Sequence, residues 1–117
     1  NRWTEVDLGI TAWTHRPLGT IVLNAAYIAD KDGKPVPWNE SRWVDDEFTK
    51  TLQEANATLD LEKRRAIMGK LEGIMQERGP VFISFWKHVW NITKAEFKGI
   101  VAHPTGYDLM YDVWKDA

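Results

Sequence analysis

The strongest constraint on the fold is an apolar stripe at helical spacing in the second half of the chain. Thr58 or Asp60 is placed to cap the start of this helix, and Gly79-Pro80 is placed to end it. The sequence between them predicts a helix of about 18 residues, about 27 Å long. Apolar side chains recur every three or four residues along its buried face: Ile67, Leu71, Ile74 and Met75, with Met68 beside them.

Two further helices are predicted upstream. Pro17 suits the first turn of a helix over residues 17–28, because its fixed φ angle is already helical. A loop with a turn at Asp32-Gly33 follows. Ser41 is the candidate N-cap of the next helix, which is expected to end near Asn56. Its apolar positions lie three or four residues apart: Val44, Phe48, Leu52 and Ala55.

Extended segments are predicted at both ends of the chain. Residues 5–13 alternate between two faces, and residues 81–86 are apolar on both faces, which is typical of a buried strand. Residues 89–93 either extend that strand or pair with it. Residues 99–102 and 109–114 are shorter candidates on either side of a turn. The resulting order, β-α-α-α-β-β-β, predicts an α/β or α+β chain in which further strands are supplied from elsewhere.

Composition and charge exclude several function classes. The 15 Lys and Arg residues against 17 Asp and Glu residues give a net charge of −2, so no basic excess points to nucleic acid. No apolar run approaches the roughly 18 residues that span a bilayer. Cysteine is absent, which excludes disulfides, thiol nucleophiles and thiolate metal sites.

No catalytic or metal-binding residue is predicted, and no cofactor. None of His15, His88 and His103 has a carboxylate partner at the spacing of a metal or protease motif. Ser41 and Ser84 lie outside any nucleophile-elbow pattern. None of the three histidines is therefore predicted to be catalytic or to bind a metal, and a surface or structural role is the default interpretation of each.

Tryptophan is unusually frequent, with seven residues in a chain of 117. Trp86 falls in the predicted buried strand and is expected in the core. Trp13, Trp38 and Trp43 instead adjoin polar turns that contain Arg and Asn. An indole in that position can offer a flat apolar face to a small polar ligand. Packing of the same indoles in the core is the competing interpretation.

A set of short segments in a fixed order resembles a known family. The chain is similar over nearly its whole length to the C-terminal portion of the dipeptide/oligopeptide-binding family of extracytoplasmic solute-binding proteins, which serve ABC importers. The segments are Trp13-Thr14, Trp38-Asn39-Glu40-Ser41-Arg42-Trp43, Glu47-Phe48, Glu54-Ala55, Thr58-Leu59-Asp60, Lys63-Arg64, Met75-Gln76-Glu77-Arg78-Gly79-Pro80 and Phe97-Lys98-Gly99-Ile100-Val101.

The resemblance implies a fold, a location and a set of partners. Residues 1–96 would be part of the C-terminal ligand-binding lobe of a two-lobed periplasmic-binding-protein-like α/β fold, and residues 97–117 a tail crossing toward the other lobe. The N-terminal remainder of the protein, with a signal peptide, would lie outside this sequence. The protein would be periplasmic or extracytoplasmic. It would capture a peptide or another small polar solute without catalysis and deliver it to the membrane subunits of an ABC permease.

The resemblance also places the binding site at the turn after the first strand. Peptide-binding members of the family carry an aspartate there that pairs with the α-amino group, whereas this turn contains no carboxylate. An arginine attracts a carboxylate or a hydroxyl-rich ligand instead, although Arg16 as a surface or salt-bridged residue remains the alternative. Trp13, His15 and Arg16 are predicted to face the ligand, with Trp38 and Asn39 as second candidates.

Two other functions compete with this one. The first is a stand-alone carbohydrate-binding or scaffold module that uses exposed tryptophans and folds by itself. The second is a small hydrolase using His15 or His88 with an aspartate, for which the sequence supplies no nucleophile or metal set. The solute-binding interpretation predicts an exposed apolar surface where the remainder of the lobe would pack.

Overall fold

The computed structural model describes residues 2–116. Within them the chain is a small mixed helix-and-strand protein, loosely compatible with the predicted α/β class. Contacts divide it into two compact units, residues 2–10 with 17–82 and residues 11–16 with 83–116. The elements of these described residues are α1 (Gly19–Ala26), α2 (Asp46–Ala57), α3 (Leu61–Arg78), β1 (Phe97–Lys98), a 3₁₀ helix (Met110–Asp112) and β2 (Trp114–Lys115).

Helix α3 has the predicted bounds and resolves the choice of cap. The Asp60 carboxylate accepts a hydrogen bond from the Lys63 N–H at 2.8 Å, so Asp60 is the N-cap. Thr58 instead ends α2, where its hydroxyl donates to the Glu54 carbonyl at 2.8 Å. The helix stops at Arg78, directly before Gly79-Pro80, as the sequence predicts.

The predicted cap of α2 is wrong. The N-cap is Asp45, whose carboxylate accepts from the Phe48 N–H at 2.8 Å. Ser41 cannot serve, because its hydroxyl donates to Asn39 in the preceding loop and Arg42 adopts a left-handed φ of 55° that interrupts a helix. Val44 consequently lies before the helix rather than in it.

Helix α1 is present but shorter than predicted. It begins at Gly19 after the extended residue Leu18, so Pro17 precedes its first turn rather than occupying it. Tyr27 leaves the helical conformation at φ −132°, which ends α1 two residues before the predicted boundary. Helix boundaries commonly shift by this amount, since the flanking turns compete for the same backbone groups.

The core lies between α2 and α3 and is closed by α1 and the loop before α2. Five apolar side chains are buried and in mutual contact, and the predicted stripes of both helices supply them: Phe48, Leu52, Ala55, Leu71 and Ile74. The Trp43 ring packs edge-on against Phe48, with ring centroids 5.1 Å apart. Trp43 is therefore a packing residue, as the competing interpretation of the tryptophans expects.

Ion pairs join the first turn of α2 to the second half of α3. The Arg78 guanidinium contacts Asp45 at 2.6 Å and Glu47 at 2.7 Å, and the Lys70 ammonium contacts Glu47 at 2.9 Å. Hydrogen bonding to Arg78 lowers the pKa of Asp45, and hydrogen bonding to Lys70 and Arg78 lowers the pKa of Glu47. Hydrogen bonding to Asp45 and Glu47 raises the pKa of Arg78.

These pKa shifts predict that acid destabilises the unit that contains the three helices (residues 2–10 and 17–82), called the helical unit. A carboxyl whose pKa is lowered by folding stabilises the folded state at neutral pH, and this contribution disappears as the pH falls through the folded-state value. The free energy of unfolding should therefore decrease from about pH 5 towards about pH 2. We expect a shallower pH dependence in a double Asp45→Asn, Glu47→Gln variant, measured by urea unfolding, because asparagine keeps the cap without the charge.

A matched control is available in the same helical turn. Asp46→Asn removes a carboxylate from α2 but leaves the pairs made by Asp45, Glu47 and Arg78 in place. This variant should keep the wild-type dependence on pH. An unchanged slope in the double variant would show that the network does not control acid stability.

The predicted strands over 5–13 and 81–86 do not form. The described residues 6–10 and 81–93 make no backbone hydrogen bonds to another segment. Phe82 is 89% exposed and Trp86 is 85% exposed, so the expectation that Trp86 lies in the core is wrong. The alternation of a sequence indicates a strand, but a strand forms only where a neighbouring strand supplies hydrogen-bond partners.

The predicted extended segment over 99–102 is not a strand, and the one over 109–114 is a strand only at Trp114; the strands that form are β1 and β2. β1 and β2 pair antiparallel, with Phe97 opposite Lys115 and Lys98 opposite Trp114. Much of the predicted extended stretch over 109–114 is instead the 3₁₀ turn that leads into β2. The turn between them is as predicted, closed by the Gly106 N–H donating to the His103 carbonyl at 2.9 Å.

Candidate functional site

The five predicted ligand-facing residues divide between the two units. Trp13, His15 and Arg16 belong to the unit that contains residues 83–116. Trp38 and Asn39 belong to the unit built from the three helices.

Arg16 closes the turn that carries the first group. Its Nη1 donates to the Thr14 carbonyl at 3.3 Å, to the Thr14 hydroxyl and to the His15 carbonyl at 3.1 Å. Arg16 is half-buried, whereas the His15 side chain is exposed. These contacts use Nη1, and a guanidinium carries five N–H donors in all. Arg16 thus shapes the turn and retains Nε and Nη2 as the groups that could meet an anionic ligand.

Asn39 is the centre of the loop before α2. Its side chain is buried, and its amide Nδ2 donates to the Trp43 carbonyl at 2.7 Å while its Oδ1 accepts from the Ser41 hydroxyl at 2.8 Å. The Arg42 N–H also donates to the Asn39 carbonyl at 3.1 Å. Both ends of the amide are engaged within the loop, so Asn39 positions its neighbours.

Trp38 is held at the surface by the same loop and is 57% exposed. Upstream, the predicted turn at Asp32-Gly33 is present, and the Asp30 carboxylate accepts from the N–H groups of Asp32 and Lys34 at 2.9 Å. An isolated antiparallel β-bridge then joins Ala29, which follows α1, to Pro35. The result is a shallow open groove of about 370 Å³, lined by Asn24, Ala25, Val36, Pro37 and Trp38. Such a surface can take the apolar face of a small molecule.

Removing the Asn39 side chain should loosen this loop. Asn39→Ala removes the buried amide that donates to the part-buried Trp43 carbonyl, and losing a buried hydrogen-bond partner costs about 1–3 kcal/mol. Urea unfolding should show that loss, and the Asn91→Ala variant, at an exposed position, should change stability by less than about 0.5 kcal/mol. Equal stability of the two variants would mean that Asn39 does not hold the loop.

A second cavity, of about 550 Å³, lies in the unit that contains β1 and β2. Its wall combines apolar side chains with one cation and one anion, Lys94 and Asp108. The sequence did not predict this cavity, because its lining comes from three separate stretches, 90–94, 97–100 and 108–113. Only the high tryptophan content of the chain, which includes Trp90, offered a signal.

Comparisons with known proteins do not add a family. No family model matches the chain, and neither a curated protein nor a solved structure matches it significantly. Among the described residues, no helix is both long enough and apolar enough to cross a membrane. The same residues hold no cluster of three His, Asp or Glu side chains suited to a metal ion.

Proposed function

We propose that this chain is part of the C-terminal ligand-binding lobe of an extracytoplasmic solute-binding protein that resembles the dipeptide/oligopeptide-binding family. Its function is the capture of a peptide-like or other small polar solute for an ABC importer, outside the cytoplasmic membrane and without catalysis. Its partners are the solute, the membrane subunits of the permease and the remainder of its own chain. The ordered sequence resemblance is the basis of the proposal.

One structural observation supports it above the others. Two segments with strand-like apolar patterns, 6–10 and 81–92, have exposed side chains, and their backbones make no hydrogen bonds to another described segment. Leu8 is 90% exposed and Ile92 is 97% exposed. Exposing this much apolar surface is unfavourable, at about 25 cal/mol per Å². A larger sheet that pairs with both segments would remove that cost, as the lobe interpretation requires.

The proposal assigns different roles to the site residues. Trp13 stacks on the solute and His15 hydrogen-bonds it, while Arg16 shapes the turn and offers its remaining donors to a carboxylate or hydroxyl group. In the unit that contains the three helices, Trp38 is exposed beside its own groove, and Asn39 holds the Trp38 loop. Binding shifts an open–closed equilibrium, because only the closed state lets both lobes touch the solute.

The reading frame upstream of the codon for Asn1 tests the proposal directly. A frame that continues through several hundred codons to a signal peptide would support a two-lobed solute-binding protein. A start codon immediately before Asn1 would contradict the proposal. The stand-alone module would then be the better interpretation.

A substitution of Trp13 tests the proposed solute site, and it is made in the full protein that this reading frame encodes. Trp13→Ala should weaken solute binding about tenfold, since stacking on an indole contributes about 1–1.5 kcal/mol. A panel of di- and oligopeptides, opines and oligosaccharides, titrated by calorimetry, first identifies the solute. Trp3→Ala removes an indole outside the proposed site and should leave affinity unchanged. Unaltered affinity in Trp13→Ala would exclude this turn from the site.

The stand-alone carbohydrate-binding module is the second candidate, supported by the exposed Trp38 indole beside its shallow groove. Oligosaccharide binding by the 117-residue chain itself would favour it, provided that Trp38→Ala abolishes the binding. Absence of such binding would leave the solute-binding proposal as the better explanation.

A further inference from the structure

The cavity of about 550 Å³ in the unit that contains β1 and β2, called the β1–β2 cavity, has a largely apolar wall with two opposite charges. The Lys94 ammonium is one charge and the Asp108 carboxylate is the other. Aromatic and aliphatic side chains supply most of the remaining wall: Trp90, Ile92, Phe97, Ile100, Met110 and Val113. This volume and composition are typical of sites for small organic molecules, in which a few polar groups orient the ligand.

Backbone hydrogen bonds hold the two segments that carry these charges. Lys94 opens a turn in which its carbonyl accepts from the Phe97 N–H at 3.0 Å, and this turn leads directly into β1. Asp108 lies shortly before the 3₁₀ helix that leads into β2. Because β1 and β2 are paired, the ladder fixes the two segments relative to each other.

Neither charge on the cavity wall is neutralised within the described residues. Four other charged side chains on or beside the ladder form ion pairs at 3.7 and 3.8 Å: Lys98 with Asp116, and Lys115 with Glu96. In the part of the chain that the structure describes, Lys94 and Asp108 form no ion pair with each other or with a third residue. Such a wall complements a molecule that combines an ammonium, a carboxylate and an apolar group.

We infer that the β1–β2 cavity binds an α-amino acid with an apolar side chain. The carboxylate of the amino acid pairs with Lys94, its ammonium pairs with Asp108, and its side chain packs against Trp90 and Phe97. A ligand with a single charge would leave the other protein charge without a partner on an apolar wall. An amino acid satisfies both charges at once, so it is favoured over a fatty acid or a simple amine.

The inference goes beyond the proposed function, whose solute site is the turn that carries Trp13 and Arg16. Neither of these residues lines the β1–β2 cavity. The strand pairing proposed for residues 81–92 would engage the backbone groups of that segment. Lys94 and Asp108 both lie outside it, so the charges that select the amino acid stay available when the strands pair.

Three matched ligands separate the two charges. L-phenylalanine carries both charges, phenylpropionate lacks the ammonium and phenylethylamine lacks the carboxylate, while all three keep the same ring. Each is titrated into the nitrogen-15-labelled 117-residue chain and followed by NMR, in which the amide shifts of Phe97 and Lys115 report the strand pair. L-phenylalanine should shift the Trp90 indole N–H and bind most tightly. Each analogue should bind about three- to fivefold more weakly, the contribution of one exposed ion pair.

Two substitutions assign each charge to its partner on the ligand. Lys94→Gln should weaken the binding of L-phenylalanine and phenylpropionate about three- to fivefold and leave that of phenylethylamine unchanged. Asp108→Asn should weaken the binding of L-phenylalanine and phenylethylamine by the same factor and leave that of phenylpropionate unchanged. Lys87→Gln and Asp112→Asn remove exposed charges outside the cavity lining and should alter none of the three affinities.

Several results would overturn the inference. Equal affinities for the three ligands would show that the charges do not select the ligand. Equal losses in the cavity variants and in their controls would indicate a general effect of net charge. Failure of L-phenylalanine to shift the Trp90 signal, or absence of the β1–β2 pairing from the spectrum, would also contradict it. None of these results decides the solute-binding test, which is read from Trp13.

Discussion

Replacing Leu52 by alanine should reduce the free energy of unfolding of the helical unit by about 3 kcal/mol. Leu52 is fully buried between α2 and α3 and is one of the five buried apolar side chains of the core cluster. Truncating a buried leucine removes its transfer free energy and leaves a cavity, which together cost about 2–5 kcal/mol. Because a domain of this size has only about 5–15 kcal/mol of stability, the variant should be largely unfolded on mild heating.

The measurement is urea unfolding followed by circular dichroism, which reports helix content directly. Tryptophan fluorescence is less suitable, since the seven indoles are spread over both units. Leu59→Ala is the matched control, because Leu59 is 90% exposed between α2 and α3. It should change stability by less than about 0.5 kcal/mol. A similar loss in both variants would show that the α2–α3 contact is not the core of this chain.

Replacing Gly99 by alanine should disrupt the pairing of β1 and β2. Gly99 directly follows β1 and has a φ of 79°, a conformation that costs a non-glycine residue about 1–2 kcal/mol. An added Cβ would also lie 2.7 Å from Cζ3 of Trp114 and closer still to the Asp112 carbonyl oxygen. Backbone atoms cannot move aside without breaking the ladder, so the total cost should exceed the conformational cost alone.

Gly106→Ala separates the two contributions. Gly106 has a similar φ of 74°, but apart from its own residue and its two chain neighbours no atom lies within 4 Å of the position that its Cβ would take. It should therefore cost only about 1–2 kcal/mol and keep the strand pair. Amide chemical shifts of Phe97 and Lys115, which face each other across the ladder, report the pairing by NMR. Wild-type chemical shifts in Gly99→Ala would show that the pairing of β1 and β2 does not require the close approach of the residue 99 backbone to the Asp112 carbonyl.

The helices illustrate what a local pattern can predict. The stripe and the cap of α3 act over only a few residues: the stripe is present as expected, and Asp60 is the N-cap of the two predicted candidates, Thr58 and Asp60. The cap of α2 shows the limit of the same reasoning. Ser41 and Asp45 are both good caps by type, and the choice depended on whether the Ser41 hydroxyl was already engaged by Asn39.

The site residues show a second limit. The sequence singles out Trp38 because it adjoins polar residues, and the structure shows its indole exposed beside a groove. The burial of Asn39 and the folding of Arg16 back onto Thr14 were not visible in the sequence. Both depend on loop conformation, for which short polar stretches give no periodic signal.

The sequence by itself determined the three helices, the bounds of α3 and the turn at Asp32-Gly33, because caps, glycine conformations and helical periodicity act within a few residues. The tertiary structure alone decided which apolar segments are covered. Residues 81–86 have the composition of a buried strand, yet they are exposed, while the less apolar α2 supplies most of the core. A strand needs hydrogen bonds from residues far along the chain or on another chain, whereas a helix makes its own.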